Sequence, residues 1–564
     1  MFPIRRWRRP KKTQTTIDPD EILLDSSNVP DFDRDQFEGR LEQPLSRKTF
    51  LFAGVFIGLL FVGLLFRVGN LDLWRGAMFA KQAEENKLEQ KILFADRGVI
   101  VDRNGTPLAS NTRASVDDDF AARTYAGFSG LGHVVGYVKA PAKDSSGTYF
   151  RGVFVGMDGA ERAFNTQLAG QNGLSLTETD ARGKVVAESV VNEPVPGQKI
   201  ILSIDAKVTQ ALYLALAARA EGSGFQGGAA LIMDVQTGEL LAMTSYPEYS
   251  SQAVSDGNSA ALKALNSNLH LPFLNRATGG LYAPGSVVKP IVGAAALTEG
   301  VIDQYKQILS TGSISLPNPY DKAHPSVFKD WRANGWVDVR HAIAYSSDVY
   351  FYEVGGGFEG QPGLGVEKIE KYFRLFGFGS DPGLIGFSEQ DGNIPSFAWK
   401  AKTFPKDPVW HIGDTYHTAI GQYGVQVTPL QEVREAAAIA NGGTLLTPTL
   451  LASSTPQGAQ IPITPAVFQI IREGMRLGVS DGIATAVKFD ALHVAAKTGT
   501  AQVGVHNEFV NSWMIGFFPY EHPRYAYAMV LERGPQHTTM GSPAAMGQFL
   551  AWLQANAPQY LSNK

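Results

Sequence analysis

The sequence predicts an α+β protein: a C-terminal domain of antiparallel sheet flanked by helices, preceded by an extended β-rich pedestal and one transmembrane helix. Three observations carry that prediction. Phe50 to Phe66 is an unbroken run of 17 apolar or glycine residues, framed by Arg47 and Lys48 before it and Arg67 after it. Near the C-terminus AAKTGTAQV, SWMIGFF and YAYAMVLE follow one another across short loops, and consecutive strands so joined favour an antiparallel sheet. Between them, residues 95–196 are punctuated by glycine and charge with no long helical period, the texture of a spacer rather than of a self-sufficient core.

The anchor comes first. About 20 helical residues span a hydrocarbon core. The run of 17 is near the lower limit, but it lacks the polar face that a buried core helix carries. No small-x-small cleavage site follows Phe66, so an uncleaved anchor over 50–68 is expected. The basic start, with Arg5, Arg6, Arg8, Arg9, Lys11 and Lys12, then stays in the cytoplasm, and the chain after the anchor lies outside. Residues 1–49 read as a disordered cytoplasmic tail, acidic after the basic cluster through Asp18, Asp20, Glu21 and Asp25. Gly54 and Gly58 form a G-x-x-x-G pair, a pattern that packs two helices closely but arises often by chance.

The pedestal is read as 69–196. Asp72 to Leu93 mixes apolar and alanine positions with Lys, Glu and Gln and predicts a helix leaving the membrane. In ADRGVIVDRNGTPLASN the β-branched Val99-Ile100-Val101 runs into Asn104-Gly105, which predicts a hairpin. From Gly197 the texture changes. IILSI reads as a strand, a helical pattern runs through Ala218, and AALIMDV and LLAMTSY are strands on either side of a turn at Thr237-Gly238. Helices and strands alternate irregularly from there to a last helix over Pro543 to Gln554, so 197–564 is taken as one domain.

Composition excludes several classes. A net charge of -4 gives no reason to expect nucleic acid as a partner. The absence of cysteine removes disulfides, thiolate catalysis and thiolate zinc sites together.

Three short motifs carry chemistry. Ser286 and Lys289 are three apart at a predicted helix start, so the amine can reach the hydroxyl. A serine is a poor nucleophile until a base accepts its proton, and a lysine serves only if burial or the helix N-terminus disfavours its ammonium form. Ser346-Ser347-Asp348 lies between the helical patterns RHAIAY and VYFYEV. Lys497-Thr498-Gly499-Thr500 lies in a strand, where a cation and hydroxyls suit a carboxylate and Gly499 lets a peptide approach the edge. Each motif alone is a cap or a turn. Their order, with first members 60 and 151 residues apart, is the informative feature. Gly478-Val-Ser480-Asp-Gly482 also matches G-x-S-x-G, but a helical pattern precedes it where a strand is required, so it reads as a turn.

The ordered trio is that of penicillin-binding proteins and class A β-lactamases. From anchor to C-terminus the chain resembles class B penicillin-binding proteins, in ADRGVIVDRNGTPLASN, GHVVGYV, GMDGAERAFNTQLAGQNG, Asn275-Arg276-Ala277, TPLQ at Thr428 to Gln431 and KTGTAQ. Asp348 in SSDVYFYEV and the stretch FKDWRANGWVDV resemble the elongation type, penicillin-binding protein 2. The resemblance implies a serine β-lactamase-like transpeptidase domain in which Ser286 is acylated, Lys289 is the base and Ser346 relays protons. It implies that Lys497, Thr498 and Thr500 hold the substrate carboxylate, with backbone N–H of Ser286 and Thr500 as oxyanion donors. The implied ligands are stem peptides ending in D-Ala-D-Ala and β-lactams, the implied partner is a membrane glycan polymerase, and no cofactor is implied.

Three features depart from the family pattern. Only Thr112 to Leu131 separates two pedestal motifs where relatives carry an extra lobe, and the family's G-Q-G is Gly421-Gln422-Tyr423. Some relatives bind zinc between the first two motifs; Asp321, His324, Asp330 and His341 are available, but their irregular spacing reads as surface residues and no metal is assigned. The alternatives are a division-type transpeptidase, a hydrolytic carboxypeptidase or β-lactamase, and a non-enzymatic β-lactam sensor or scaffold. No E-x-x-L-N segment lies between Ser346 and Lys497 to supply a class A deacylating base, residues 1–49 are short for a sensor output, and a scaffold is expected to have lost Ser286 or Lys497.

Overall fold

A computed structural model describes residues 47–71, 76–78, 88–179, 185–318, 323–538 and 541–561. The chain divides into two compact units between Leu88 and Glu89. In the first, helix α1 (Arg47–Gly69, 23 residues) is exposed all round and is long and apolar enough to cross a membrane. Most of the helix predicted over Asp72 to Leu93 falls on 72–75 and 79–87, outside the described residues. Its end is a correction: Leu88–Leu93 is a strand, β1, because pairing in a sheet outweighs weak local helix preference.

The predicted hairpin forms from β2 (Ile100–Val101) and β3 (Pro107–Thr112). Gly105 takes φ +84°, and Asp102 Oδ1 accepts from the N–H of Asn104 (2.9 Å) and Thr106 (2.8 Å), closing the turn. With β4 (Ala122–Tyr125) and a later strand these make a four-stranded sheet, while β1, β5 (Gly173–Thr179) and β6 (Val185–Asn192) make a three-stranded one. The later strand is β7 (Ile200–Ile201), which pairs parallel to β2.

Two pedestal motifs meet through charge. Glu161 holds Arg97 through Oε2 (2.6 Å) and Arg123 through Oε1 (2.7 Å), all three side chains being essentially inaccessible to solvent. The apolar residues around them, including Ile100, Leu108, Val134 and Leu168, belong to one continuous cluster with Leu202, Leu231 and Met243. Phe94 and Phe154 are also buried, packed with Phe120 and Tyr149.

Further along the chain, α2 (Ala206–Ser223) is capped by Asp205, whose carboxylate accepts from the N–H of Lys207 and Val208. The central sheet contains β8 (Gly227–Asp234), β9 (Leu240–Tyr246), β10 (Ala495–Val503), β11 (Phe509–Phe518) and β12 (Tyr525–Pro535). Its order is β9-β8-β12-β11-β10 and every pairing is antiparallel. Alternate residues serve two cores. Ile232, Met514 and Met529 pack with Leu212 of α2 and with Phe549 and Leu550 of the C-terminal helix, Ser542–Asn556. Leu231, Ile515 and Val530 pack on the other side with Leu430, Val433 and Ile471. Burial on both faces is why these strands read as nearly unbroken apolar runs. Strand β10 lies at the edge, and that edge builds the site.

Candidate active site

Ser286 sits where a tight turn meets that edge. Gly285 takes φ +60°, and a Cβ there would lie 2.7 Å from the carbonyl oxygen of Thr500, so only glycine allows the approach. The Gly285 N–H donates to the Gly421 carbonyl (3.0 Å), and a Cβ on Gly421 would meet Gly285 O at 2.3 Å. The turn Gly285–Val288 is 3₁₀, in which residues three apart eclipse, so Ser286 and Lys289 share a face. Helix α3 (Lys289–Thr298) then begins with Pro290, where a missing N–H is harmless.

The second motif lies between α4 (Val339–Tyr345) and α5 (Asp348–Gly356). Ser346 has φ +57°, and Ser347 caps α5. Lys289 is fully buried and its Nζ donates to Ser346 O (2.8 Å), Ser346 Oγ (3.2 Å) and Asp348 Oδ1 (2.6 Å). Those three bonds use every hydrogen of an ammonium. The Lys289 amine is thus held by Ser346 and Asp348, on the residues that flank the start of α5.

The third motif comes from β10. Lys497 is also buried, and its Nζ donates to Ser346 Oγ (2.8 Å) and to Thr498 O (2.8 Å). Burial pushes its pKa well below the ordinary lysine value, the Lys289 charge pushes the same way, and Asp348 opposes them. A Cβ on Gly499 would lie 2.9 Å from Pro284 O, so this glycine brings the strand against the Ser286 turn. Two lysines thus converge on one hydroxyl. Because Ser346 Oγ accepts from both, its own proton is free to point elsewhere.

Ser286, Ser346, Asp348, Thr498 and Thr500 line one cleft of about 960 Å³. Tyr423 joins its wall with φ +55°, its ring packed against Trp399 (5.6 Å), Trp410 (5.7 Å) and Phe404 (6.0 Å). The structure also brings in residues that no spacing singled out. His417, Tyr352 and Trp331 line the cleft, and burial lowers the His417 pKa. Asp330 is not the surface residue its spacing suggested: it is half-buried in the cleft floor and accepts from Ser347 Oγ and Val349 N–H. His341 pairs with Asp338 (2.8 Å), and Asp321 lies outside the described residues. Gly478 and Ser480 end a helix, Pro465–Ser480, so the chance G-x-S-x-G begins in a helix end rather than a turn, with no strand before it.

A serine at a helix start, a hydroxyl shared by two buried lysines and an edge strand beside them are the arrangement that serine acyl-transfer chemistry uses. Residues 228–550 match the penicillin-binding protein transpeptidase domain, and residues 118–202 match the penicillin-binding protein dimerisation domain. The chain belongs to the penicillin-binding protein transpeptidase family. It is 29% identical to peptidoglycan D,D-transpeptidase MrdA of Escherichia coli K12, over 86% of this chain and 91% of that protein. It is 31% identical to Pseudomonas aeruginosa PBP2 solved in complex with WCK 5153, covering 82% of this chain and 98% of that one, with a TM-score of 0.65. A chain from a peptidoglycan synthase complex that coordinates polymerization and crosslinking aligns with a TM-score of 0.68 at 26% identity, covering 89% of this chain and 97% of that one.

Proposed function

We propose that this protein is a membrane-anchored peptidoglycan D,D-transpeptidase of the elongation type and that Ser286 is its nucleophile. The observation that carries the reading is the placement of Ser346 Oγ, bonded to both Lys289 and Lys497 in the cleft that also holds Ser286. Ser286 Oγ attacks the penultimate D-Ala carbonyl, the C–N bond breaks, and the serine proton passes through Ser346 and the lysines to the departing D-Ala amine. A stem-peptide amine then attacks the ester, the C–O bond breaks, and the proton shed by that amine returns to Ser286. Thr498 and Thr500 receive the donor carboxylate, and the backbone N–H of Ser286 and Thr500 receive the oxyanion. Asp348 holds Lys289 in place.

In this reading residues 1–49 are a cytoplasmic tail, 50–68 the anchor, 69–196 the pedestal and 197–564 the transpeptidase domain, working outside the membrane. β-Lactams acylate Ser286 as mimics of the D-Ala-D-Ala end, and a membrane glycan polymerase is the partner. The likeness to a chain of a synthase complex supports that partner, and the match to the penicillin-binding protein transpeptidase domain supports β-lactam binding. Incubation of the purified protein with fluorescent penicillin tests the reading: wild type labels and Ser286→Ala does not. Equal labelling of both would overturn it, and products formed only with water as acceptor would move it to carboxypeptidase.

A further inference from the structure

Asp330 and Trp331 grip the chain on both sides of Ser346. One carboxylate oxygen of Asp330 accepts from Ser347 Oγ (2.8 Å), Val349 N–H (3.1 Å), Ser310 Oγ (3.1 Å) and Asn334 Nδ2 (3.2 Å). The other oxygen accepts from the N–H of Trp331 (2.8 Å). The Trp331 indole Nε1 donates in turn to the carbonyl of Tyr345, the residue before Ser346, at 3.1 Å. The Arg332 guanidinium lies over both rings, 4.4 Å from that of Trp331 and 5.4 Å from that of Tyr345.

Ser346 needs such a grip. Its φ of +57° is a left-handed conformation that a side-chain-bearing residue adopts only where its surroundings over-determine it. Ser347 and Val349 lie after it, Tyr345 lies before it, and all three are tied to the same two residues. The chemistry at Asp330 also fits. Val349 N–H belongs to the first turn of α5, where backbone donors lack helical partners and negative charge is favoured.

We propose that Asp330 and Trp331 are positioning residues that hold the Ser346 hydroxyl in register with Lys289, Lys497 and Ser286. This rests on the reading of Ser346 as a group in the acylation step. Neither residue touches Ser346 Oγ. They set the backbone that carries it, and displacing a reacting group by about 1 Å costs on the order of 10²-fold in rate.

The test is the rate of acylation of the full-length protein by fluorescent penicillin, resolved into the rate constant at saturation and the half-saturating concentration. Wild type, Ser346→Ala, Asp330→Asn and Trp331→Phe are compared, with the double variants that add Ser346→Ala to each of the last two. Trp331→Phe removes one donor from a ring that is 53% exposed, so it leaves the core intact. Ser346→Ala and Asp330→Asn each lower the saturating rate roughly tenfold or more with little change in half-saturation, and Trp331→Phe lowers the same constant less. In the Ser346→Ala background both further substitutions become nearly silent, because the group they position is gone. Wild-type saturating rates in both single variants, or the same losses with and without Ser346, would overturn the proposal. If Asp330→Asn does not fold, the Trp331→Phe cycle decides alone. A wild type that fails to label, or a Ser346→Ala variant as fast as wild type, sinks the reading of Ser346 itself and the positioning role with it.

Discussion

Lys289 Nζ lies 2.6 Å from a carboxylate oxygen of Asp348, and the pair closes one end of the hydrogen-bonded group around Ser346. The Asp348 charge also raises the pKa of Lys497, against the burial and the Lys289 charge that lower it. Replacing the carboxylate by a neutral amide, Asp348→Asn, removes that bias while keeping the shape. The expected outcome is that the acid limb of the acylation rate moves to lower pH, read from labelling kinetics across a pH series. A profile identical to wild type would show that the pair plays no part in the proton transfer.

A second pair of carboxyl groups is unrelated to the cleft. Glu432 and Glu435 are fully buried, one turn apart on the helix Pro429–Asn441, with no hydrogen-bond partner outside the pair among the described residues. Burial pushes the Glu432 pKa up to about 8 and the Glu435 pKa well above the carboxylate range, Glu435 being raised further by the charge of its neighbour. Folded-state pKa values above the unfolded ones mean the native protein holds protons that the unfolded chain releases. Stability from this pair is therefore complete below the ordinary Glu pKa and is lost as pH rises through about 8. Glu435→Gln supplies a donor to the remaining carboxylate and should flatten the fall in melting temperature over that window. An unchanged slope would count against it.

Glu161 neutralises two buried guanidinium groups at once. Glu161→Gln leaves Arg97 and Arg123 uncompensated, and breaking a buried pair typically costs about 3–5 kcal/mol. Thermal unfolding should show a much lower midpoint, while protein still folded at low temperature labels with penicillin at its usual rate. A loss of labelling rate without a loss of stability would place Glu161 in the chemistry instead.

At Tyr423 a ring occupies a backbone conformation that glycine adopts without strain. Tyr423→Gly relieves that strain and removes the ring from the cleft wall. Penicillins with bulky side chains should then acylate faster relative to compact ones. The ratio of their second-order rate constants is the readout, and an unchanged ratio means the ring does not limit access.

Much of this was legible locally. The sheet strands show unbroken apolar runs because both faces are buried, and the hairpin at Asn104-Gly105 shows because a turn of that type selects its residues. The helix Arg47–Gly69, long and apolar enough to cross a membrane, shows through its unbroken apolar run. Leu88–Leu93 was not legible as a strand, since its fate depends on a partner, Gly173–Thr179, more than eighty residues away in the chain.

The site divides in the same way. Ser286, Lys289, Ser346, Asp348 and Lys497 stand out by type and order, because the motifs are short and the chemistry proposed for them restricts which residues can serve. Their partners were not. Lys289 meets Ser346 and Asp348 across 57 and 59 residues, and Lys497 meets Ser346 across 151. Which of the acceptors a buried amine chooses depends on distance and charge in the folded state, and no local pattern encodes either. Asp330 makes the same point: by spacing it was a surface acid, and only the packing of its loop against the start of α5 places it beneath the second serine. The sequence by itself determined the long apolar helix, the sheet and the chemical groups. The tertiary structure decided which hydroxyl the two lysines share and what holds it there, because hydrogen bonds between distant segments are settled only when the chain closes on itself.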